Sequence, residues 1–97
     1  MNTLITDAIR NRRVMNIGYG GYPRSIEPHA YGVSNEGSEL LRAYQIHGGS
    51  DSVEQQGWKL FDLSKAGSIS ATQQTFSSAR QGYKRGDKAM SRIYAEL

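Results

Sequence analysis

Basic residues interleaved with aromatic ones are the feature of this chain most capable of chemistry. Arg24, Arg42 and Lys59 fall on three separate segments of extended character, with Tyr22, Tyr31, Tyr44 and Trp58 close to them. Guanidinium and ammonium groups neutralise phosphates, and exposed aromatic rings offer stacking surfaces for bases. Together they follow the logic of an oligonucleotide groove on a β surface. The plainer alternative is that Tyr44 and Trp58 pack in the core while the strand arginines face water.

Other chemistry is thinly represented. His29 and His47 are the only histidines and there is no cysteine, so a metal site is not expected. Each histidine reads as a hydrogen-bonded strand-end residue or a ligand contact. No nucleophile elbow, phosphate loop or zinc-hydrolase pattern occurs, and Gly18, Gly20 and Gly21 do not open a helix. Neither catalytic residues nor a cofactor are expected. Toward the C-terminus Arg80, Lys84, Arg85, Lys88 and Arg92 are partly offset by Asp87 and Glu96. That set reads as a solvated helix face or as an auxiliary phosphate-contacting strip.

Strand alternation leaves the facing of the arginines open. Arg42 and Tyr44 share a face with Leu40 and Ile46, and Arg24 shares one with Tyr22 and Ile26. If those faces point inward, each guanidinium needs a partner, for which Glu27 and Asp62 are the candidates, because a buried unpaired charge is too costly to persist. A bulge near Pro23 or Pro28 would reverse the parity.

The elements that must position these residues follow from periodicity. Leu4, Ile5, Ala8 and Ile9 form an apolar stripe over a helix at 3–12 with Thr3 as N-cap, Asp7 toward its start, and Arg10, Arg12 and Arg13 at its end. Residues 14–19 alternate as a strand, Gly20 and Gly21 reverse the chain, and a second strand covers 22–29. Asn35, Glu36 and Gly37 read as a turn. Strands follow at 39–47, 58–63 and 68–72, separated by a polar, mobile loop at 48–57 and a turn at 65–67, and Thr75 with Phe76 closes the set. Asp87 caps a helix at 87–96 that buries Ala89, Met90, Ile93, Tyr94 and Leu97. Short strands without intervening helices predict a mainly β, α+β domain: a small five-stranded antiparallel barrel over 14–76 flanked by two helices.

The chain has 97 residues, 37% of them apolar, and a formal net charge of +3. That is enough for one domain with a thin core. The mild excess of positive charge serves solubility or attracts a polyanion. The opening residues lack the apolar run of a secretory signal, and no stretch approaches the ~20 apolar residues of a membrane helix. With no cysteine, a reducing cytoplasm is the natural compartment.

The runs AIRNRRVMNIGY, RSIEPHAYG, ELLRAYQ, GWKLFDLSKAGSI and TFSSARQGYKRGDKAMSRIYAEL resemble a WYL domain across nearly the whole chain. The most specific pieces are Arg24 with Pro28, Leu41 to Tyr44, and Trp58 to Leu63. The tripeptide naming the family would fall near Glu39, Leu40 and Leu41, without its Trp and Tyr. Asp62 stands where such domains often carry a second arginine. The resemblance implies a helix followed by a strongly bent Sm-like or SH3-like barrel. It also implies a ligand-sensing role in bacterial transcription regulators or phage-defence systems, with single-stranded nucleic acid or a nucleotide-like effector as ligand. It gives added weight to Arg24, Arg42 and, after Pro28, His29. No winged helix precedes the WYL-like region, so sequence-specific promoter binding by this chain alone is not expected.

Two functions of different kinds follow. The first is a regulatory or accessory module that binds single-stranded DNA, RNA or a small nucleotide through Arg24, His29, Tyr31, Arg42, Tyr44, Trp58 and Lys59. The second is a protein-interaction module, a homo-oligomer or a subunit of a regulatory or nucleic-acid-processing partner, without nucleic-acid binding.

Overall fold

Helix α1 spans Thr3–Arg10, starting where its sequence predicts but capped one residue earlier. Asn2, not Thr3, is the N-cap, and its side-chain oxygen accepts the Leu4 N–H at 2.9 Å. The helix ends at Asn11 because Arg12 turns to a left-handed φ of 50°, so the expected helix to residue 12 is shortened. Ile5, Ala8 and Ile9 are buried, while Leu4 is displaced from the apolar stripe to the surface. The computed structural model describes residues 1–49 and 56–97. Most of the loop expected at 48–57, read as mobile, therefore lies outside the described residues.

Among the described residues six antiparallel strands follow: β1 (Arg13–Tyr19), β2 (Tyr22–Val33), β3 (Glu39–Gly48), β4 (Gly57–Asp62), β5 (Ala66–Thr75) and β6 (Arg92–Glu96). Their order is β4-β3-β2-β1-β5, with β6 also paired to β2. The mainly β class holds, with six strands instead of five. Gly20 and Gly21 take φ values of 60° and 81°. A two-residue hairpin loop of this hand requires positive φ at both central positions, and glycine supplies it without steric cost. Asp62 caps a 3-10 turn at Leu63–Lys65, accepting from the Ser64 N–H at 3.1 Å and its hydroxyl at 2.8 Å. Thr75 and Phe76 stay with β1: Thr75 pairs with Arg13, and the Phe76 N–H donates to the Arg12 carbonyl at 2.9 Å.

Strand β2 organises the molecule. It runs twelve residues, past the expected stop at His29. Residues 22–26 pair with β1, and 30–33 pair with β6. Along β3 the register jumps from Pro28↔Ala43 to Ala30↔Arg42, so His29 is the extra residue of a bulge. A bulge reverses the alternation. Ile26 and Tyr31, of opposite parity, accordingly both enter the core, with Leu41, Ala43, Phe61 and the apolar stripe of α1. Pro28 falls between the stretches served by β1 and β6, a position that tolerates a residue without an N–H.

The helix expected at 87–96 is a strand. Asp87 does cap, but it caps one turn: its carboxylate accepts from the Ala89 N–H at 3.0 Å and its carbonyl from the Met90 N–H at 3.1 Å. The chain then extends as β6. Beyond Ile26 one edge of β2 has no β1 to pair with, and β6 satisfies those backbone groups. Ile93 and Tyr94 are β-branched and aromatic and suit a strand. Gly32 permits the approach, since a Cβ there would lie 2.2 Å from the Arg92 carbonyl oxygen.

Candidate functional site

The sheet has two covered faces. On β3, Leu41, Ala43 and Gln45 point to the core beneath α1, while Arg42 and Tyr44 occupy the opposite face. Register places Leu60 beside Arg42 and Trp58 beside Tyr44. Residues 76–91, without helix or strand, pass over this second face as a strap.

The strap is fastened by polar contacts set among aromatic rings. Arg80 grips Glu27 with two bonds, Nε–Oε1 2.7 Å and Nη2–Oε2 3.1 Å, and its guanidinium lies over the Tyr44 ring at 4.5 Å. The Arg80 backbone N–H donates to His29 Nε2 at 3.0 Å. That bond assigns the neutral ring with its proton on Nδ1, which donates to the Glu27 carbonyl at 2.8 Å. Burial lowers the His29 pKa, and the hydrogen bond to Glu27 raises that of Arg80. Around the imidazole stand Trp58, Tyr83 and Phe76, with ring centroids 4.7, 5.1 and 5.7 Å away.

Between the strap and β3–β4 lies a cleft of about 410 Å³. One wall is aromatic: Trp58 and Tyr83 lie near-parallel at 25° with centroids 6.0 Å apart, and the indole N–H donates to the Gln81 carbonyl at 3.2 Å. The other lining groups are charged: Arg42, Lys84, Arg85, Asp87 and Lys88. Arg42 Nε meets Asp87 Oδ2 at 2.7 Å and Nη2 meets Oδ1 at 3.3 Å. This contact holds the Asp87 carboxyl below its usual pKa. Arg85 pairs with Glu96 at 3.2 Å. Lys84 and Lys88 are exposed and form no ion pair among the described residues.

Of the residues singled out in the sequence, Arg42, Tyr44 and Trp58 come together on this face. Arg24 does not. It shares the core face with Ile26 and is 7% exposed. Its guanidinium donates to the Tyr19 carbonyl at 3.0 and 3.2 Å and to Gln45 Oε1 at 3.2 Å, amid the rings of Tyr19, Tyr22 and Phe61. Neither of its expected partners reaches it: Glu27 holds Arg80 and Asp62 caps a turn. Tyr31 is fully buried; its hydroxyl donates to Glu39 and accepts from the Asn2 N–H at 2.8 Å. Burial pushes its pKa up to about 12. His29 is fully buried with both ring nitrogens bonded inside the protein, and His47 is exposed. Lys59 is half-buried on β4, in register with Ala43.

Tyr83, Lys84, Arg85 and Lys88 reach the cleft on the strap. Their signal in sequence was the cluster of basic residues at 80–92. Among the described residues no three His, Asp or Glu side chains gather as metal ligands, and no helix is long and apolar enough to cross a membrane. Compared with protein families, curated proteins and solved structures, the chain finds no match.

Proposed function

We propose that this protein is a binding module for nucleotides, either free or carried in single-stranded DNA or RNA, and that it acts by sensing or recruitment and not by catalysis. One observation carries the reading: a single cleft joins an aromatic wall, Trp58 and Tyr83, to the cations Arg42, Lys84 and Lys88. Phosphates need the second and bases the first, and stacking tolerates any base. Arg42 is already oriented by Asp87, so little side-chain entropy is lost when it meets an anion. Tyr44 supports Trp58 edge-on at 5.6 Å. Arg24, His29 and Tyr31 stabilise the scaffold that holds the cleft.

We also infer a strongly bent barrel of the Sm or SH3-like kind. The pairing of β1 with both β2 and β5, and a long β2 bulged at His29, support it, since bulges bend sheets. The resemblance to WYL domains points the same way and favours a regulatory partner in the cytoplasm.

The test is fluorescence anisotropy with labelled single-stranded and duplex DNA and RNA at two salt concentrations. Single strands are expected to bind, with affinity falling on a log–log plot by about 0.7 per phosphate neutralised. A Lys84→Ala/Lys88→Ala variant is expected to lose that binding. Binding that the variant retains would remove the cleft assignment. No binding of strands or of free nucleotides at tens of micromolar protein would leave the protein-interaction role.

A further inference from the structure

The charges around the cleft do not cancel. Arg42 is neutralised by Asp87, and Arg85 by Glu96. Lys84 and Lys88 remain, two positive charges without an ion pair among the described residues, on a rim that both of them line. Arg42 adds directionality. Its Nε and Nη2 face Asp87, and its Nη1 makes no hydrogen bond among the described residues, so that nitrogen still has N–H donors to offer.

The ligand that completes this arrangement brings close to two negative charges on one group. An internal phosphodiester carries one. A phosphate monoester carries about −1.5 to −2 at pH 7, with its second pKa near 6. Size agrees: about 410 Å³ is toward the small end of ligand pockets, roughly 300–1,000 Å³, and suits a single nucleotide better than a length of strand.

We infer that the cleft recognises a phosphate monoester on a nucleotide, with the base against Trp58 and the phosphate between Lys84, Lys88 and the free nitrogen of Arg42. The inference rests on the nucleotide-binding reading and narrows it. The same group occurs on a free mononucleotide and at the 5′-phosphorylated end of a strand. Affinity falls as pH drops below about 6, where the monoester dianion takes up a proton and becomes a monoanion.

Trp58 is the single tryptophan, so intrinsic fluorescence reports directly on the cleft. The experiment titrates the full chain, at fixed ionic strength, with adenosine monophosphate, 3′,5′-cyclic adenosine monophosphate and adenosine. It repeats the titration with a short strand bearing either a 5′-phosphate or a 5′-hydroxyl. The monoester form is expected to bind at least about tenfold more tightly than its diester or dephosphorylated counterpart in one or both series. A preference in the mononucleotide series alone identifies the free nucleotide, and a preference between strands identifies the strand end. Lys84→Ala/Lys88→Ala removes the preference, while Arg92→Ala, outside the cleft, keeps it. Equal affinity for the monoester and its diester or dephosphorylated counterpart in both series overturns the inference and leaves nucleotide binding standing. No binding in either series defeats both.

Discussion

Arg42 on β3 and Asp87 on the strap, 45 residues apart in sequence, form a two-bond ion pair in which Asp87 is only 9% exposed. The pair ties the aromatic wall to the basic rim. The same carboxylate caps the turn leading into β6. Asp87→Ala should therefore cost about 1–3 kcal/mol in urea denaturation, the range for leaving a partly buried hydrogen-bonded charge unpaired. A double-mutant cycle with Arg42→Ala should show coupling above about 0.5 kcal/mol. Coupling near zero would mean the pair behaves as an ordinary surface contact.

Arg12 is the one non-glycine residue with positive φ among those described. A left-handed conformation costs an L-residue with a side chain about 1–2 kcal/mol, and the position just past a helix favours glycine. Arg12→Gly should raise stability by about 1 kcal/mol. An unchanged or lower denaturation midpoint would show that its side chain does more than cover the surface.

Gly32 lies tightly against β6. The Cβ of an alanine would meet the Arg92 carbonyl oxygen, the Ile93 Cα and the Met90 sulfur, and two of these are backbone that cannot swing aside. Gly32→Ala should destabilise by about 1–3 kcal/mol. It should also speed amide exchange at Arg92–Glu96 more than in β1. Uniform exchange would contradict a separable β6.

Acid should weaken the strap in two stages. The pKa of His29 is depressed by burial, so as pH falls below 6.5 the unfolded chain takes up the proton first and stability declines toward the folded pKa. The Asp87 carboxyl is depressed by Arg42, so its contribution is complete above 3.8 and is lost below that. Thermal denaturation from pH 8 to pH 3 should show both declines, and His29→Phe should remove the first. At the alkaline end, Tyr31 ionises near 12 when folded and near 10 when unfolded, so stability should fall between those values. Tyr31→Phe should reduce that loss, leaving the part contributed by Tyr83, whose pKa burial also raises.

Local pattern reveals the elements whose partners are local. The α1 stripe, the Gly20–Gly21 hairpin and the alternation of Leu41, Ala43 and Gln45 in β3 are all readable from the residues. The C-terminal segment is not, because Ala89, Met90, Ile93, Tyr94 and Leu97 satisfy a helical period as well as Ile93, Tyr94 and Ala95 satisfy a strand. What decides is the unpaired edge of β2 beyond Ile26, a fact about distant residues. Arg24 and Arg42 could not be assigned to faces for a similar reason: register shifts at Ser25/Ile26 and Pro28/Ala30 break simple alternation along β2 and β3. Arg42, Tyr44 and Trp58 were recoverable as neighbours, whereas Tyr83, Lys84 and Lys88 join them only through the strap.

The most direct test of the nucleotide-binding cleft is an NMR titration of the isotope-labelled chain with a 5′-phosphorylated single strand and with adenosine monophosphate. Shifts are expected to concentrate on the Trp58 indole N–H, Arg42 and the backbone of Gly82–Lys88, with β5 and the surroundings of Arg24 unmoved. Shifts centred on Arg24 and β5, or no shifts with either ligand, would contradict it.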